Sequence, residues 1–217
     1  NSGYAVGNNI GLKFLSEVDY KCIINPDVIV SDAHLIHKLI ELYETLKDVA
    51  FIAPSIKHGN KVHICEAGWN LPDLLDETKT FLLLTRRRHF KNDREIIKVD
   101  CVSGSFFLGR SDIFDRLNYL DEGTFLYNEE TILGYKVKKY GFSNYVATRL
   151  SYEHIGSKSI NSLFNVNKKY YLLFKSKVYY WRSIRGNRLL MPLALLFLLL
   201  VNQVILVLKT ICCNIWK

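Results

Sequence analysis

Three positions in the chain carry groups whose surroundings suit them to chemistry. Asn25-Pro26-Asp27 closes the apolar stretch Tyr20–Ile24, which reads as a buried strand. Ligands gather at the carboxyl ends of strands in open α/β sheets, so Asp27 stands where an oxygen ligand could hold Mg²⁺ or Mn²⁺ beside a diphosphate. The same tripeptide is equally an ordinary turn. Glu129-Glu130 opens a helix predicted over 128–140. Carboxylates in a first turn complement the helix dipole, which explains the pair without any chemistry. Yet Glu130 shares a face with Leu133 and Val137, and partial burial there raises a carboxyl pKa toward the range of a general base. His154 ends a strand-like stretch just before Gly156 and Ser157, and reads as a ligand or as a satisfied polar side chain. The remaining candidates are weaker. His34 and His37 lie one helical turn apart without a third ligand, and His58, His63 and Cys65 lack zinc-site spacing. Arg86-Arg87-Arg88 reads as a solvated charge run or a contact to phosphate.

Strands alternating with helices must position these groups, which argues for an α/β layered domain. The glycine- and asparagine-rich stretch Gly3–Asn9 leads into a short helix bearing Ile10, Leu12, Phe14 and Leu15. The spacing of Leu35, Leu39, Ile40 and Tyr43 predicts a helix over 32–47. A strand over 49–53 ends at Pro54. Residues 55–98 form an irregular excursion, with short strands near 61–66 and a helix near 72–84. A strand over 96–102 leads into Ser103-Gly104-Ser105 and the apolar run 106–108. One or two helical turns over 111–116, a loop over 117–127, a strand near 144–147 and a long helix over 160–187 complete the pattern.

Composition excludes other classes. With 49% hydrophobic and 23% charged residues in 217, the chain is too apolar to be disordered. Its five irregularly spaced cysteines make no disulfide framework, so a reducing compartment is expected. The first residue is Asn rather than Met, and no charged-then-apolar leader precedes it, so a piece of a longer chain is expected. Charge divides sharply. Residues 1–135 hold 15 Lys+Arg against 20 Asp+Glu, whereas residues 136–217 hold 14 against the single acid Glu153. Such asymmetry points to nucleic acid, an anionic membrane or phosphate-bearing ligands. The uncharged stretch 189–208 argues against nucleic acid, because the basic residues lead straight into it. Its length suits a membrane-spanning or membrane-associated helix, and Arg182, Arg185 and Arg188 before it place the body on the cytoplasmic side.

The order of these pieces resembles family 2 glycosyltransferases of the rhamnosyltransferase-like branch. Asn1-Ser2-Gly3-Tyr4-Ala5-Val6-Gly7-Asn8-Asn9-Ile10-Gly11 is similar to the family's N-x-G-x-x-x-G-N-N-x-G stretch, and Asn25-Pro26-Asp27 to its form of the metal-binding D-x-D motif. Asp100 and Gly104 match its Asp-x-x-x-Gly segment, Phe125–Glu130 its F-x-Y-x-E-D/E, and His154–Ser157 its H-x-x-S. The resemblance covers about residues 1–160. It implies an incomplete GT-A domain with a mixed, mainly parallel sheet, followed by a basic aromatic juxtamembrane helix (161–188), the hydrophobic helix (189–208) and a tail (209–217). It further implies that Glu130 is the general base with Glu129 orienting it or the acceptor. Asp27 and His154 would hold a divalent metal (Mg²⁺ or Mn²⁺), Asn1, Gly3, Asn9 and Asn25 would line the nucleotide-sugar donor, and Asp100 and Gly104 would shape the acceptor floor. The implied reaction is inverting transfer to a saccharide, plausibly lipid-linked, in bacterial surface polysaccharide synthesis at the cytoplasmic membrane. The family's opening strand–helix units should precede Asn1, so this chain alone is expected to be inactive and to expose sheet edges. The competing expectations are an inactive truncated remnant and a basic membrane-surface scaffold built on residues 158–188.

Overall fold

Each strand forms where β-branched and aromatic residues cluster between turn residues, and each helix where apolar positions recur at helical spacing. The computed structural model describes residues 2–73, 76–77, 94–155, 166–187, 193–197, 199–200 and 203–204. In chain order the elements are α1 (Tyr4–Phe14), β1 (Tyr20–Ile24), β2 (Val28–Ile29), α2 (Leu35–Glu44), β3 (Val49–His58), β4 (Lys61–His63), α3 (Ile64–Ala67) and β5 (Gly68–Trp69). There follow β6 (Ile96–Val99), β7 (Cys101–Val102), β8 (Phe106–Arg110), α4 (Ser111–Arg116), α5 (Glu129–Lys139), β9 (Ser143–His154) and α6 (Val166–Tyr179). The last runs on as a π-helical turn, Tyr180–Ile184.

The fold is mixed α/β. A seven-stranded sheet runs β1-β8-β3-β9-β2, with β4 added to β3 and β6 to β9, while β5 and β7 form a separate two-stranded sheet. Its parallel character resides in the long β3–β9 ladder; the other pairings are antiparallel. Among the described residues β1 has one strand neighbour, β8, so its other edge carries no strand. The core lies at the sheet centre, where Phe51 packs against Phe107 (ring centroids 5.1 Å apart) and Phe114 (4.9 Å).

Several expectations shift for identifiable reasons. The strand expected to stop before Pro54 continues to His58, because the β3–β9 register slips between Pro54 and Ser55. A proline is tolerated at such an irregularity, where a ladder bond is already missing. The single strand expected over 96–102 divides at Asp100 into β6 and β7, which belong to different sheets. The strand expected near 144–147 is twelve residues long, so His154 is its last residue. Leu12 is buried as the spacing predicts, but Ile10 and Phe14 point outward. Most of the helix expected near 72–84, with Arg86–Arg88, lies outside the described residues, as do Asn1 and residues 156–165. Of the stretch 189–208, residues 193–197, 199–200 and 203–204 are described and helical. Among the described residues no helix is long and apolar enough to cross a membrane.

Asn9 ties the first helix to the loop over 117–128. Its amide nitrogen donates to the Leu120 carbonyl (2.9 Å) and to Glu122 Oε1 (2.8 Å), and its oxygen accepts from the Leu120 N–H (3.1 Å). The side chain is buried, so Asn9→Ala would leave both Leu120 backbone groups without that partner. The expected cost is about 1–3 kcal/mol. In a chain of this size that lowers Tm by roughly 2–10 °C, measurable by thermal denaturation.

Candidate active site

A left-handed turn aims the acidic pair. Tyr127 (φ 72°) and Asn128 (φ 73°) both adopt positive φ immediately before α5 begins. Non-glycine residues rarely sit there, Asn being among those that tolerate it best, and such conformations concentrate at functional sites. The turn drives Glu129 into the protein at 6% exposure and sets Glu130 one residue further into the helix. Leu133 and Val137, on the same face as Glu130, are buried as the spacing predicts.

Glu130 faces the turn after β7. The Gly104 N–H donates to Glu130 Oε1 at 3.3 Å, and the Gly104 carbonyl accepts the Tyr4 hydroxyl at 2.5 Å. One residue, through the two peptide groups that flank it, is thus held between α1 and α5. Glycine is required here by space: an added Cβ would lie 2.8 Å from the Tyr4 hydroxyl and 3.0 Å from Glu130 Oε1. Ser103 and Ser105 share a hydrogen bond of 2.8 Å, and Ser105 continues to the buried Tyr152 hydroxyl at 2.5 Å. The Asn25 N–H donates to the Ser105 carbonyl at 2.9 Å, which brings the end of β1 to the same place.

These groups line one cavity of about 340 Å³, whose walls include Asn25, Gly104, Glu129, Glu130 and His154. Asp27 joins through its partner. Its Oδ2 lies 3.2 Å from His154 Nε2, and its carbonyl accepts the Ile155 N–H at 3.0 Å, because β2 pairs with the end of β9. Three anticipated residues stand elsewhere. Asn9 is committed to the Leu120–Glu122 loop. The Asp100 carboxylate, turned by the break between β6 and β7, accepts the Leu71 N–H (2.9 Å) and pairs with Lys138 (3.0 Å), outside this cavity. Gly3 (φ 98°) caps α1 against the Phe125 carbonyl, which an added Cβ would approach to 2.5 Å, so its place is structural packing beside the loop. The cavity also takes Tyr127, the aromatic position of the F-x-Y-x-E-D/E stretch, and two residues outside every motif, Trp69 and Leu173.

Burial governs the site's electrostatics. It pushes Glu129 up to about 8, the neighbouring Glu130 charge adding to the effect and the α5 backbone opposing it. Burial also raises Glu130, against the hydrogen bonds from its own N–H and that of Gly104. The Tyr4 hydroxyl is raised by burial and then by both glutamates, so it remains a donor. The Asn128 amide nitrogen and Glu129 Oε1 are buried without a hydrogen-bond partner among the described residues, which leaves both able to bond a group that enters. A buried carboxylate pair that retains a proton can accept one from a hydroxyl in the cavity while the second carboxyl donates a hydrogen bond.

The donor set of Asp27 and His154 suits a divalent cation of the Mg²⁺/Mn²⁺ kind, one carboxylate oxygen and one imidazole nitrogen lying side by side. Among the described residues no group of three His, Cys, Asp or Glu side chains is arranged to hold a metal. The pair therefore fits a cation that takes its remaining ligands from water and a bound phosphate, as Mg²⁺ commonly does.

No family model matches the chain. It is 24% identical over 142 residues to the low-salt glycan biosynthesis hexosyltransferase Agl10 of Haloferax volcanii, an alignment covering 64% of this chain and 44% of that protein. The chain thus spans less than half the length of this curated relative. Among solved structures, the crystal structure of GalNAc-T7 with UDP, GalNAc and Mn²⁺ aligns over 70% of this chain and 30% of its own, with 16% identity and a TM-score of 0.47.

In the folded chain Glu129 keeps its proton to about pH 8, whereas unfolded it ionises near 4.5. The unfolded state releases its proton first, so the folded state loses relative stability as pH rises between these values. Glu129→Gln cannot ionise and escapes that loss. Its Tm, measured by scanning fluorimetry, should gain on the wild type progressively across this window and level off above it. A constant difference would contradict the burial of this carboxyl.

Proposed function

We propose that the chain forms the acceptor-activating part of a glycosyltransferase, which moves a sugar from a nucleotide-sugar to a saccharide hydroxyl with inversion. The observation that carries this reading is the convergence of Glu130 and the His154–Asp27 pair on one cavity from segments far apart in sequence. A base for the incoming hydroxyl and a locus for the departing phosphate are the two requirements of a single displacement at an anomeric carbon. The similarity to a glycan biosynthesis hexosyltransferase and the order of five motifs support the same reading.

In this reaction the acceptor oxygen bonds to the anomeric carbon as the bond from that carbon to the diphosphate oxygen breaks. Glu130 takes the acceptor's proton, and the nucleoside diphosphate leaves with the bonding pair. Glu129, protonated at neutral pH, donates a hydrogen bond to a ligand oxygen through Oε1, which has no hydrogen-bond partner among the described residues. The Gly104 N–H restrains Glu130, and Tyr4 restrains Gly104. Asp27 and His154 would hold a divalent cation, which supplies Lewis-acid stabilisation to the leaving diphosphate when bound. Asn25, at the cavity wall, serves the donor side. The acceptor extends to lipid-linked saccharides of cell-surface glycans, presented at the cytoplasmic face of a membrane.

In the full-length gene product, Glu130→Gln should lower turnover roughly 10²–10⁴-fold, the usual worth of a general base, with donor affinity retained. Wild-type turnover would refute the assignment and favour the scaffold reading. Asp27→Ala and His154→Ala should each move the divalent-metal titration of activity to higher concentration. A titration unmoved by both would remove the metal role from this pair.

A further inference from the structure

The helical residues between 193 and 204 present two different apolar faces. Leu195, fully buried, and Leu199 pack inward on Ile132, Tyr180 and Trp181. Leu193, Leu196, Phe197, Leu200 and Val204 recur at helical spacing on the other side, and all are exposed, Phe197 at 66%. The inward contacts fix the helix to the protein body, so the outer stripe cannot be buried by rolling the helix over. Exposed apolar residues grouped on one face in this way mark an interaction surface.

The charge around it selects the partner. Arg182 and Arg185 are exposed on the π-helical turn just before, with the Arg185 guanidinium lying over the Tyr135 and Trp181 rings at 5.1 and 5.2 Å. Residues 136–217 carry 14 Lys+Arg and one acid, so two copies meeting face to face through this region would repel. Exposed apolar residues on one helix face, in a region of the chain rich in arginine and lysine, are the pattern of a helix lying in a membrane interface.

We propose that this face docks on the surface of an anionic bilayer. The stripe sinks to the boundary between headgroups and acyl chains while Arg182 and Arg185 engage lipid phosphates. The docking is parallel to the membrane and needs no spanning segment. It stands independently of the chemistry assigned to the cavity.

The test is flotation of the full chain with vesicles of phosphatidylcholine, alone or with about one-third phosphatidylglycerol. The wild type should float with the mixed vesicles at least about tenfold better than with the neutral ones, given about 1 kcal/mol for each basic residue near the surface. F197E/L200E should lose flotation while keeping the wild-type Tm, because both side chains point away from the body. Glu130→Gln should float as the wild type does. The proposal is overturned if the wild type stays in the soluble fraction with anionic vesicles, or if F197E/L200E floats unchanged. A dimer in analytical ultracentrifugation that F197E/L200E dissolves would equally overturn it, by assigning the stripe to a second copy.

Discussion

One residue, Gly104, is the joint on which the site depends. Its carbonyl takes the Tyr4 hydroxyl and its N–H reaches Glu130. Through it the first helix, the turn after β7 and the start of α5 are held at a common point, although Tyr4 and Gly104 stand 100 positions apart. A carboxyl group withdrawn from water has a strong tendency either to neutralise or to swing out to solvent. The Gly104 N–H opposes both by stabilising the charged form in place, and the bond from Tyr4 keeps that N–H aimed. The absence of a side chain at 104 is what allows both partners to approach.

The surrounding structure accepts local cost to keep this arrangement. Two consecutive non-glycine residues in the left-handed region, a buried amide nitrogen and a buried carboxyl oxygen without partners all fall within Tyr127–Glu129. Such features persist only where neighbouring contacts over-determine them. Those contacts come from α6, which covers the loop. Ser176 donates to the Leu126 carbonyl at 2.8 Å, Tyr179 donates to Asp121 at 2.9 Å, and the Tyr179 ring fills the space where a Cβ on Gly123 would stand. Leu173 of the same helix lines the cavity. The strained turn is therefore clamped by a helix more than forty positions later in the chain.

Much of this was legible in the residues, and the limits are instructive. Periodicity located β1, α2, α5 and the alternation of strand and helix, because those elements bury one regular face. The placement of Glu130 beside Leu133 and Val137 was sound for the same reason. Asp100 stands outside the cavity: its neighbours Val99 and Cys101 read as one continuous strand, whereas the chain changes sheets at that residue and turns its carboxylate toward Lys138. Asn9 looked like a ligand group, but a buried asparagine satisfies backbone groups just as readily, and the Leu120 peptide lay beyond any local pattern. Trp69 enters the cavity through a two-residue strand, too short to impose a period. The positive φ at Asn128 had a faint signal, since Asn is among the residues that tolerate it.

The basic, aromatic half of the chain is mechanically continuous with the acidic site. Ile132 lies on α5 one turn beyond Glu129, and it packs with Tyr180, Trp181 and Leu195 in a second, smaller core. Lys177 pairs with the fully buried Glu77, which also accepts the Trp181 indole N–H at 3.4 Å, so Glu77 is fastened to α6 and its π-helical continuation. A buried ion pair contributes little net stability, because desolvation consumes most of the attraction, but breaking it is costly and its geometry is demanding. Its effect is to fix position. Helix α5 thus presents its first residues to the cavity and its second turn to the core that carries the apolar stripe. The carboxylates and the core that seats Leu195 therefore share one helix and one relative position. Under the proposed docking of the outer apolar face, the cavity keeps a fixed height above the bilayer, which suits an acceptor whose reactive hydroxyl is held at a set distance from the lipid.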